Sequence, residues 1–296
     1  MRRPIVALSI VALLIGLLAV TVACNSSEAV APLTAKDRFR VATTTSLYDT
    51  GLWALLEPRF EDRYDVEMDI LYAGTGKALE YGTRGDVDAV VVHARSSEEK
   101  FIADGYGMQR YPFAYNYFLI VGPASDPAGI KGMAPEDAFK HLVDMGKANP
   151  GSVNFVSRGD ESGTHVKEKA IWKSAGYTYE DVQKSGEWYI EAGTGMGPTL
   201  VMAKEKSAYT LADIGTYLAF KKDLGLEVMV EEGDILLNVY SIIAVNPEKA
   251  KVDNEMADNL IKYLVSDEIQ DLIGKYGAKE YGRSLFEPCS GATVCK

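Results

Sequence analysis

The sequence predicts an α/β protein of two lobes, each a mostly parallel sheet flanked by helices. Strand-like and helix-like segments alternate from about residue 37 onward, which is typical of parallel sheets with helices on their faces. Two apolar strands, at 115–123 and 239–247, break the alternation, and each ends at a proline. They bracket about 115 residues. We therefore interpret them as two crossover strands that form a hinge, in preference to one large doubly wound sheet.

The predicted strands are short apolar and β-branched runs bounded by turn residues. They lie at 39–43, 66–72, 89–92, 117–121, 153–156, 188–190, 227–230 and 239–245. Helical patterns run between them, and local signals mark their ends. Ser96 and Glu99 suggest a capping box with Gly105 as the stop, and Pro135 suits a first helical turn. Further helices are predicted at 213–222, 256–265 and 269–276.

The N-terminus has the features of a secretory signal. Arg2 and Arg3 precede an apolar run at 5–20, and small residues lead to Cys24. We expect a signal peptide at 1–24, with Cys24 as the site of lipid attachment, and a flexible tether at 25–36. Because Thr21 stands where lipoprotein signals usually have Leu, a plain secreted protein and an uncleaved anchor remain alternatives.

Charge and cysteine content restrict the partners. The formal net charge of −11 argues against nucleic acid, since a phosphate backbone needs a basic face. Cys289 and Cys295 are six residues apart, and in an exported chain we expect them to form a disulfide that closes a loop at 289–296. A metal site there is disfavoured, because no histidine or further cysteine lies nearby.

Four turns rich in Gly, Ser or Thr each follow a predicted strand and lead into a predicted helix. They read TTTS (43–46), GTGK (74–77), SRGDESGT (157–164) and GTGMG (193–197). In open α/β sheets such turns meet beyond the carboxyl ends of the strands, where ligands bind. Free N–H groups at the helix N-termini, the hydroxyls and Arg158 together favour a compact anion.

Catalytic interpretations of the same stretches are weaker. The GTGKA stretch lacks the first Gly and the final Ser or Thr of a P-loop, since Leu71 and Ala78 stand there. His165 could act as a base on Ser162, but a residue three further along one helix is badly placed for that and no third member is apparent. For His93 and His141 we expect core or surface roles rather than metal binding. We predict no catalytic residue, no metal ligand and no cofactor.

Several stretches together resemble the tungstate-binding components of bacterial ABC transporters, a family of type II periplasmic binding proteins. They are ATTTSLYDTGLW, GTGKALEYG, SRGDESGTHVKE, GTGMGPTL and AYTLADIGTY, and they run through nearly the whole chain after the signal. The resemblance implies the two-lobed type II fold and an oxyanion held in the interlobe cleft. It also implies closure of the lobes on the anion and delivery to a membrane permease.

The resemblance, extended by analogy with molybdate binders for the second turn, implies a ligand-binding set drawn from all four turns. It comprises Thr44, Thr45, Ser46, Thr75, the backbone of Lys77, Arg158, Ser162, Gly163, Thr164 and Gly195. We expect lobe 1 to span 37–121 and 240–288, and lobe 2 to span 122–239. We also expect an extracytoplasmic monomer, attached to the membrane only through lipid at Cys24.

Phosphate is the strongest rival ligand, with sulfate behind it. RGDESGT is similar to the anion loop of phosphate-binding proteins, differing at Gly159 and Glu161. Phosphate near neutral pH keeps a proton and needs a carboxylate acceptor, which phosphate binders place after the third strand, whereas tungstate and molybdate need donors only. Here that position reads VVVHARSS, with no acid, so tungstate or molybdate is favoured. A secreted hydrolase or phosphatase with the same cradle is a further alternative.

Overall fold

A computed structural model describes residues 37–149 and 151–295. The predictions for the signal peptide, for Cys24 and for the tether fall on residues outside these ranges. The described strands are β1 Asp37–Thr44, β2 Val66–Ala73, β3 Ala89–Val92, β4 Gly107–Pro123, β5 Phe155–Ser157, β6 Tyr189–Glu191, β7 Thr210–Asp213, β8 Leu226–Val230, β9 Leu237–Val245 and β10 Glu287–Pro288.

Twelve helices occur in the described residues. They are α1 Thr45–Asp49, α2 Leu52–Tyr64, α3 Thr75–Arg84, α4 Arg95–Ala103, α5 Pro135–Ala148, α6 Gly163–Ser174, α7 Tyr179–Gln183, α8 Met196–Glu205, α9 Ile214–Leu224, α10 Asn254–Leu264, α11 Asp267–Lys275 and α12 Ala278–Tyr281. In the described part of the chain, none is long and apolar enough to cross a membrane.

The strands form one large sheet and one small one. In the large sheet the order is β10-β4-β9-β3-β1-β2, and β7 and β8 also pair with β4. The pairs of β1 with β2 and β3 are parallel, as are β5 and β6 in the small sheet. The remaining pairs, which involve β4 and β9, are antiparallel.

The long strand β4 joins two sets of layers. Its residues 107–117 pair with β9, and its residues 118–123 pair with β7 and β8. Side chains alternate between the faces of a strand, so each part of the sheet contributes side chains to two hydrophobic cores, one on each face. Val91 packs with α2, α10 and α11, whereas its neighbour Val90 packs with α3 and α4. Likewise Phe118 packs with α5 and α6, and Leu119 packs with α8 and α9.

Some local predictions are confirmed and others are wrong. Helix α5 begins with Pro135, as predicted. The capping box is wrong: the N-cap of α4 is Ala94, two residues before Ser96, and no side chain caps the N-terminus of this helix. The sulfur atoms of Cys289 and Cys295 are 2.01 Å apart, near the paired strands β4 and β10.

Candidate functional site

A cavity of about 290 Å³ lies where the four Gly-, Ser- and Thr-rich turns meet. The turns follow β1, β2, β5 and β6 and lead into α1, α3, α6 and α8. Their residues account for the whole lining of the cavity except Ala73, the last residue of β2. This lining is Thr44, Thr45, Ser46, Ala73, Gly74, Thr75, Arg158, Asp160, Ser162, Gly163, Gly193, Thr194 and Gly195.

The four helices that begin at this cavity share an electrostatic feature. None of them has an acidic residue in its first turn. By contrast α4, α5, α7, α10 and α11 each carry an Asp or Glu there, which complements the positive end of the helix dipole. The positive potential of the four N-termini is therefore left for another negative group to complement.

Hydroxyl residues of the TTTS turn (43–46) both cap helix α1 and line the cavity. Thr44 is the N-cap of α1, and its Oγ1 accepts a hydrogen bond from the Leu47 N–H at 3.3 Å. Its Oγ1 also lies 3.4 Å from Ser46 Oγ. Thr45 and Ser46 follow in the first turn and line the same wall. The capping and anion-binding interpretations of this stretch are thus compatible.

An ion pair fixes the turn at 157–164. The Arg158 guanidinium donates to the Asp160 carboxylate through Nη2, and the other oxygen of Asp160 accepts from the Ser162 N–H at 3.2 Å. Asp160 therefore orients the guanidinium. Both oxygens of this carboxylate are engaged. Among the described residues that line the cavity, Arg158 is the only Lys, Arg or His.

Three polar atoms at this site are buried without a hydrogen-bond partner in the described residues: Thr75 Oγ1, Arg158 Nε and Thr164 Oγ1. All three belong to the predicted ligand-binding set. Buried polar groups are normally paired, because an unpaired one costs about 1–3 kcal/mol. All three can donate a hydrogen bond, so the residues fit a ligand that accepts hydrogen bonds.

A buried carboxylate supports the Arg158 loop from beneath. Glu168, on α6, accepts hydrogen bonds from Ser157 Oγ at 2.6 Å, Trp172 Nε1 at 2.9 Å and the Tyr189 hydroxyl at 2.6 Å. Ser157 Oγ in turn accepts from the Gly159 N–H at 3.2 Å. Burial raises the pKa of Glu168 to about 7, against the effect of the three donors.

The same loop is fixed at its far end by His165. Its Nδ1 accepts a hydrogen bond from the Glu161 N–H at 3.0 Å, and its Nε2 lies 2.7 Å from the Tyr179 hydroxyl. Glu161 has a φ of 55°, a left-handed conformation that a non-glycine residue rarely adopts. Ser162 Oγ interacts with the backbone N–H of His165 and not with its ring. His165 therefore shapes the anion loop and is not placed as a base for Ser162.

The structure brings most of the predicted set together. Eight of the ten residues line the cavity, and Thr164 adjoins it as the second residue of α6. Lys77 does not reach it. Its N–H bonds to the Gly74 carbonyl within the first turn of α3, and its Nζ pairs with Glu80 at 2.9 Å on the surface.

Sequence reasoning missed several residues at or behind the cavity. Gly193 and Thr194 lie in the turn at 193–197, from which the predicted ligand-binding set includes only Gly195. Glu168 gave a detectable signal, because a charged residue four positions before Trp172 lies on the apolar face of α6. His93 was assigned a core or surface role, and its Nε2 lies 3.2 Å from Ser46 Oγ.

The chain is similar to known proteins. The sequence model of one protein family, the PBP superfamily domain, matches residues 28–268. The chain is 43% identical over 255 residues to the tungstate-binding protein TupA of Peptoclostridium acidaminophilum, covering 86% of each protein.

Two solved structures are similar as well. The tungstate ABC transporter structure from Geobacter sulfurreducens has a TM-score of 0.71 and 46% identity, over 82% of this chain and 100% of that one. The tungstate-binding protein TupA from Desulfovibrio alaskensis G20 has a TM-score of 0.73 and 38% identity, over 85% of this chain and 98% of that one. The chain therefore belongs to the PBP superfamily, the two-lobed periplasmic binding proteins, and within it to the family of the TupA proteins.

Proposed function

We propose that this chain is an extracytoplasmic solute-binding protein that captures tungstate in the described cavity and delivers it to an ABC permease. The observation that carries the proposal is the set of three buried, unpartnered donors: Thr75 Oγ1, Arg158 Nε and Thr164 Oγ1. A tetrahedral dianion supplies acceptors to all of them at once. The names of the relatives from Peptoclostridium acidaminophilum and Desulfovibrio alaskensis support the same ligand.

The charge state of the ligand decides between tungstate and phosphate. Tungstate is a full dianion with acceptors only, whereas hydrogen phosphate needs a free acceptor for its proton. The one carboxylate among the described lining residues, that of Asp160, already accepts from Arg158 and from the Ser162 N–H. A phosphate proton would therefore have to share one of these oxygens with the donor already bound to it. We therefore favour tungstate, with molybdate as a ligand of the same charge and shape.

We infer that binding bridges two lobes, with lobe 1 at 37–121 and 240–288 and lobe 2 at 122–239. The turns after β1 and β2 would supply one wall, and those after β5 and β6 the other. An anion between them would contact both, so it stabilises the closed arrangement that a permease can recognise. Within this site we propose the residues Thr44, Thr45, Ser46, Thr75, Arg158, Ser162, Gly163, Thr164 and Gly195 as ligands.

We also propose that the protein is a monomer tethered to the membrane by lipid at Cys24, and that a Cys289–Cys295 disulfide closes its C-terminal loop. The relatives are named as binding proteins and transporter components, so we retain transport in preference to the hydrolase alternative.

Removing the positive charge of Arg158 tests the proposed function. Replacing it with Gln keeps a donor and most of the side chain but removes the positive charge. We expect the tungstate affinity to fall by at least 100-fold, since two or more charge-assisted bonds contribute about 1.5–3 kcal/mol each. Isothermal titration calorimetry of the purified protein measures this.

Arg84→Gln is the matched control. Arg84 is exposed and pairs with Asp86 and Glu80 on the surface. We expect its affinity for tungstate to equal that of the wild type. A folded Arg158→Gln protein that binds tungstate as tightly as the Arg84→Gln protein would overturn the site assignment.

A further inference from the structure

His93 contacts three separate parts of the molecule. It follows β3, and the residue is only 7% exposed. Its Nε2 lies 3.2 Å from Ser46 Oγ, on the first wall of the anion cavity, and its Nδ1 lies 2.8 Å from Asn238 Oδ1 on β9. A Cβ added to Gly163, at the N-terminus of α6, would lie 2.5 Å from His93 Cε1.

The position of the proton on His93 follows from a chain of hydrogen bonds. The backbone carbonyl of Leu285 can only accept, so the amide nitrogen of Asn116 faces it at 3.2 Å. The Asn116 Oδ1 then accepts from the Asn238 Nδ2 at 2.9 Å. This leaves the Asn238 Oδ1 toward the ring, so Nδ1 of His93 must carry a hydrogen and donate it.

The other ring nitrogen is left as an acceptor. Burial lowers the pKa of His93 to about 4, and the nearby charges of Arg158 and Lys167 act in the same direction. The aromatic rings near it, those of Phe118 and Tyr240, carry no charge. The ring is therefore neutral, and its Nε2 accepts the hydrogen of the Ser46 hydroxyl. Ser46 can then donate to an anion only through its backbone N–H, which lies in the first turn of α1.

The contact between His93 and Gly163 lies between two cavities. Gly163 lines the anion cavity, and both residues line a second cavity of about 300 Å³ on the other side. Because the His93 ring approaches the backbone of Gly163 this closely, any side chain at 163 would have to displace it. The thickness of the ring thus fixes how near the N-terminus of α6 comes to Ser46.

We propose that His93 is a positioning residue of the oxyanion site, which holds the Ser46 hydroxyl and sets the distance between Ser46 and the N-terminus of α6. This inference rests on the proposed function, because it explains how the cavity is matched to the size of its anion. Sulfate has the same charge and shape as tungstate but is smaller, so the spacing discriminates between them.

The test is a double-mutant cycle with Gly163→Ala, His93→Ala and the double variant, and calorimetry with sodium tungstate measures it. We expect Gly163→Ala alone to weaken binding at least tenfold, because the new methyl group meets the ring. In the His93→Ala background the same change has an effect of less than about threefold. Gly76→Ala is the matched control, since Gly76 lies in the first turn of α3 with no atom within 4 Å of the added Cβ, and its affinity stays within about twofold of the wild type.

Two further readouts separate positioning from a merely structural role. The His93→Ala variant is expected to lose at least tenfold in the ratio of tungstate to sulfate affinity, while its circular dichroism spectrum is unchanged. The dependence of tungstate affinity on pH between 5.5 and 8 is expected to be the same in the wild type and in His93→Ala, because His93 stays neutral while Glu168 titrates in both proteins. If His93→Ala does not fold, His93→Asn replaces it, since the shorter amide can still donate toward Asn238.

The outcomes are distinct. An equal loss from Gly163→Ala in both backgrounds means that the methyl group meets the anion itself and overturns the role of His93. An unchanged ratio of tungstate to sulfate affinity in His93→Ala overturns it as well. Either result leaves the proposed function standing as long as the wild type binds tungstate. Failure of the wild type to bind tungstate overturns the proposed function.

Discussion

Replacing Thr164 with Val is predicted to stabilise the ligand-free protein while weakening its binding. Thr164 Oγ1 is buried and has no partner among the described residues. Valine has nearly the same shape and no hydroxyl, so the change removes a desolvation cost of about 1–3 kcal/mol. For a domain of this size, each kcal/mol raises the melting temperature by about 2–4 °C.

Binding is expected to change in the opposite direction. The hydroxyl would donate to a charged ligand, and such a bond contributes about 1.5–3 kcal/mol. Its loss lowers tungstate affinity by about 10- to 150-fold. Thermal unfolding with and without tungstate measures both effects in one experiment, since the melting temperature without ligand rises and the shift produced by tungstate shrinks.

Thr43→Val is the matched control for this prediction. Thr43 Oγ1 donates to the Val91 carbonyl at 3.1 Å and accepts from Trp53 Nε1 at 3.3 Å, and it does not line the cavity. We expect this variant to be less stable by about 1–3 kcal/mol, with unchanged affinity. A Thr164→Val protein that is destabilised without ligand, or that binds tungstate as well as the wild type, would refute the reasoning.

Two more predictions concern the walls of the cavity. Thr45→Val is expected to lower tungstate affinity by about 1–3 kcal/mol through one lost bond, measured by calorimetry, and unchanged binding would place Thr45 outside the contact shell. Glu168→Gln tests the buried carboxylate, whose pKa is raised to about 7 by burial. Because the folded pKa exceeds the unfolded one, the stability from protonating this group is present below about pH 4.5 and is lost as pH rises through 7. Urea unfolding at pH 4.5 and 8 is expected to show the wild type losing about 3 kcal/mol more than the Gln variant, and equal losses would contradict the assignment.

The four turns could be predicted from sequence because each is a local pattern. A strand, a run of small hydroxyl residues and an amphipathic helix lie within about twenty residues, and the rule for α/β sheets brings their ends together. Arg158 and Ser162 were found in this way. Lys77 was misplaced because its N–H is used inside the first turn of α3, a detail that depends on where the helix starts.

Other features depend on contacts that are distant in sequence. Strand β7 at Thr210–Asp213 was missed, because its pairing with β4 joins residues about 90 positions apart. His93 looks like an isolated histidine until β9 supplies Asn238, 145 residues away, as its partner. Local sequence propensities do not encode such long-range pairs, so the roles of β7 and His93 can be identified only in the folded structure.

Calorimetric titration of the purified ligand-free protein with tungstate, molybdate, phosphate and sulfate tests the central claim most directly. The account predicts one-to-one binding of tungstate, with molybdate as the second ligand, only weak binding of sulfate and no detectable heat from phosphate. Heat from phosphate alone would contradict it, and would mean that Asp160 accepts the phosphate proton in addition to its bonds with Arg158 and Ser162.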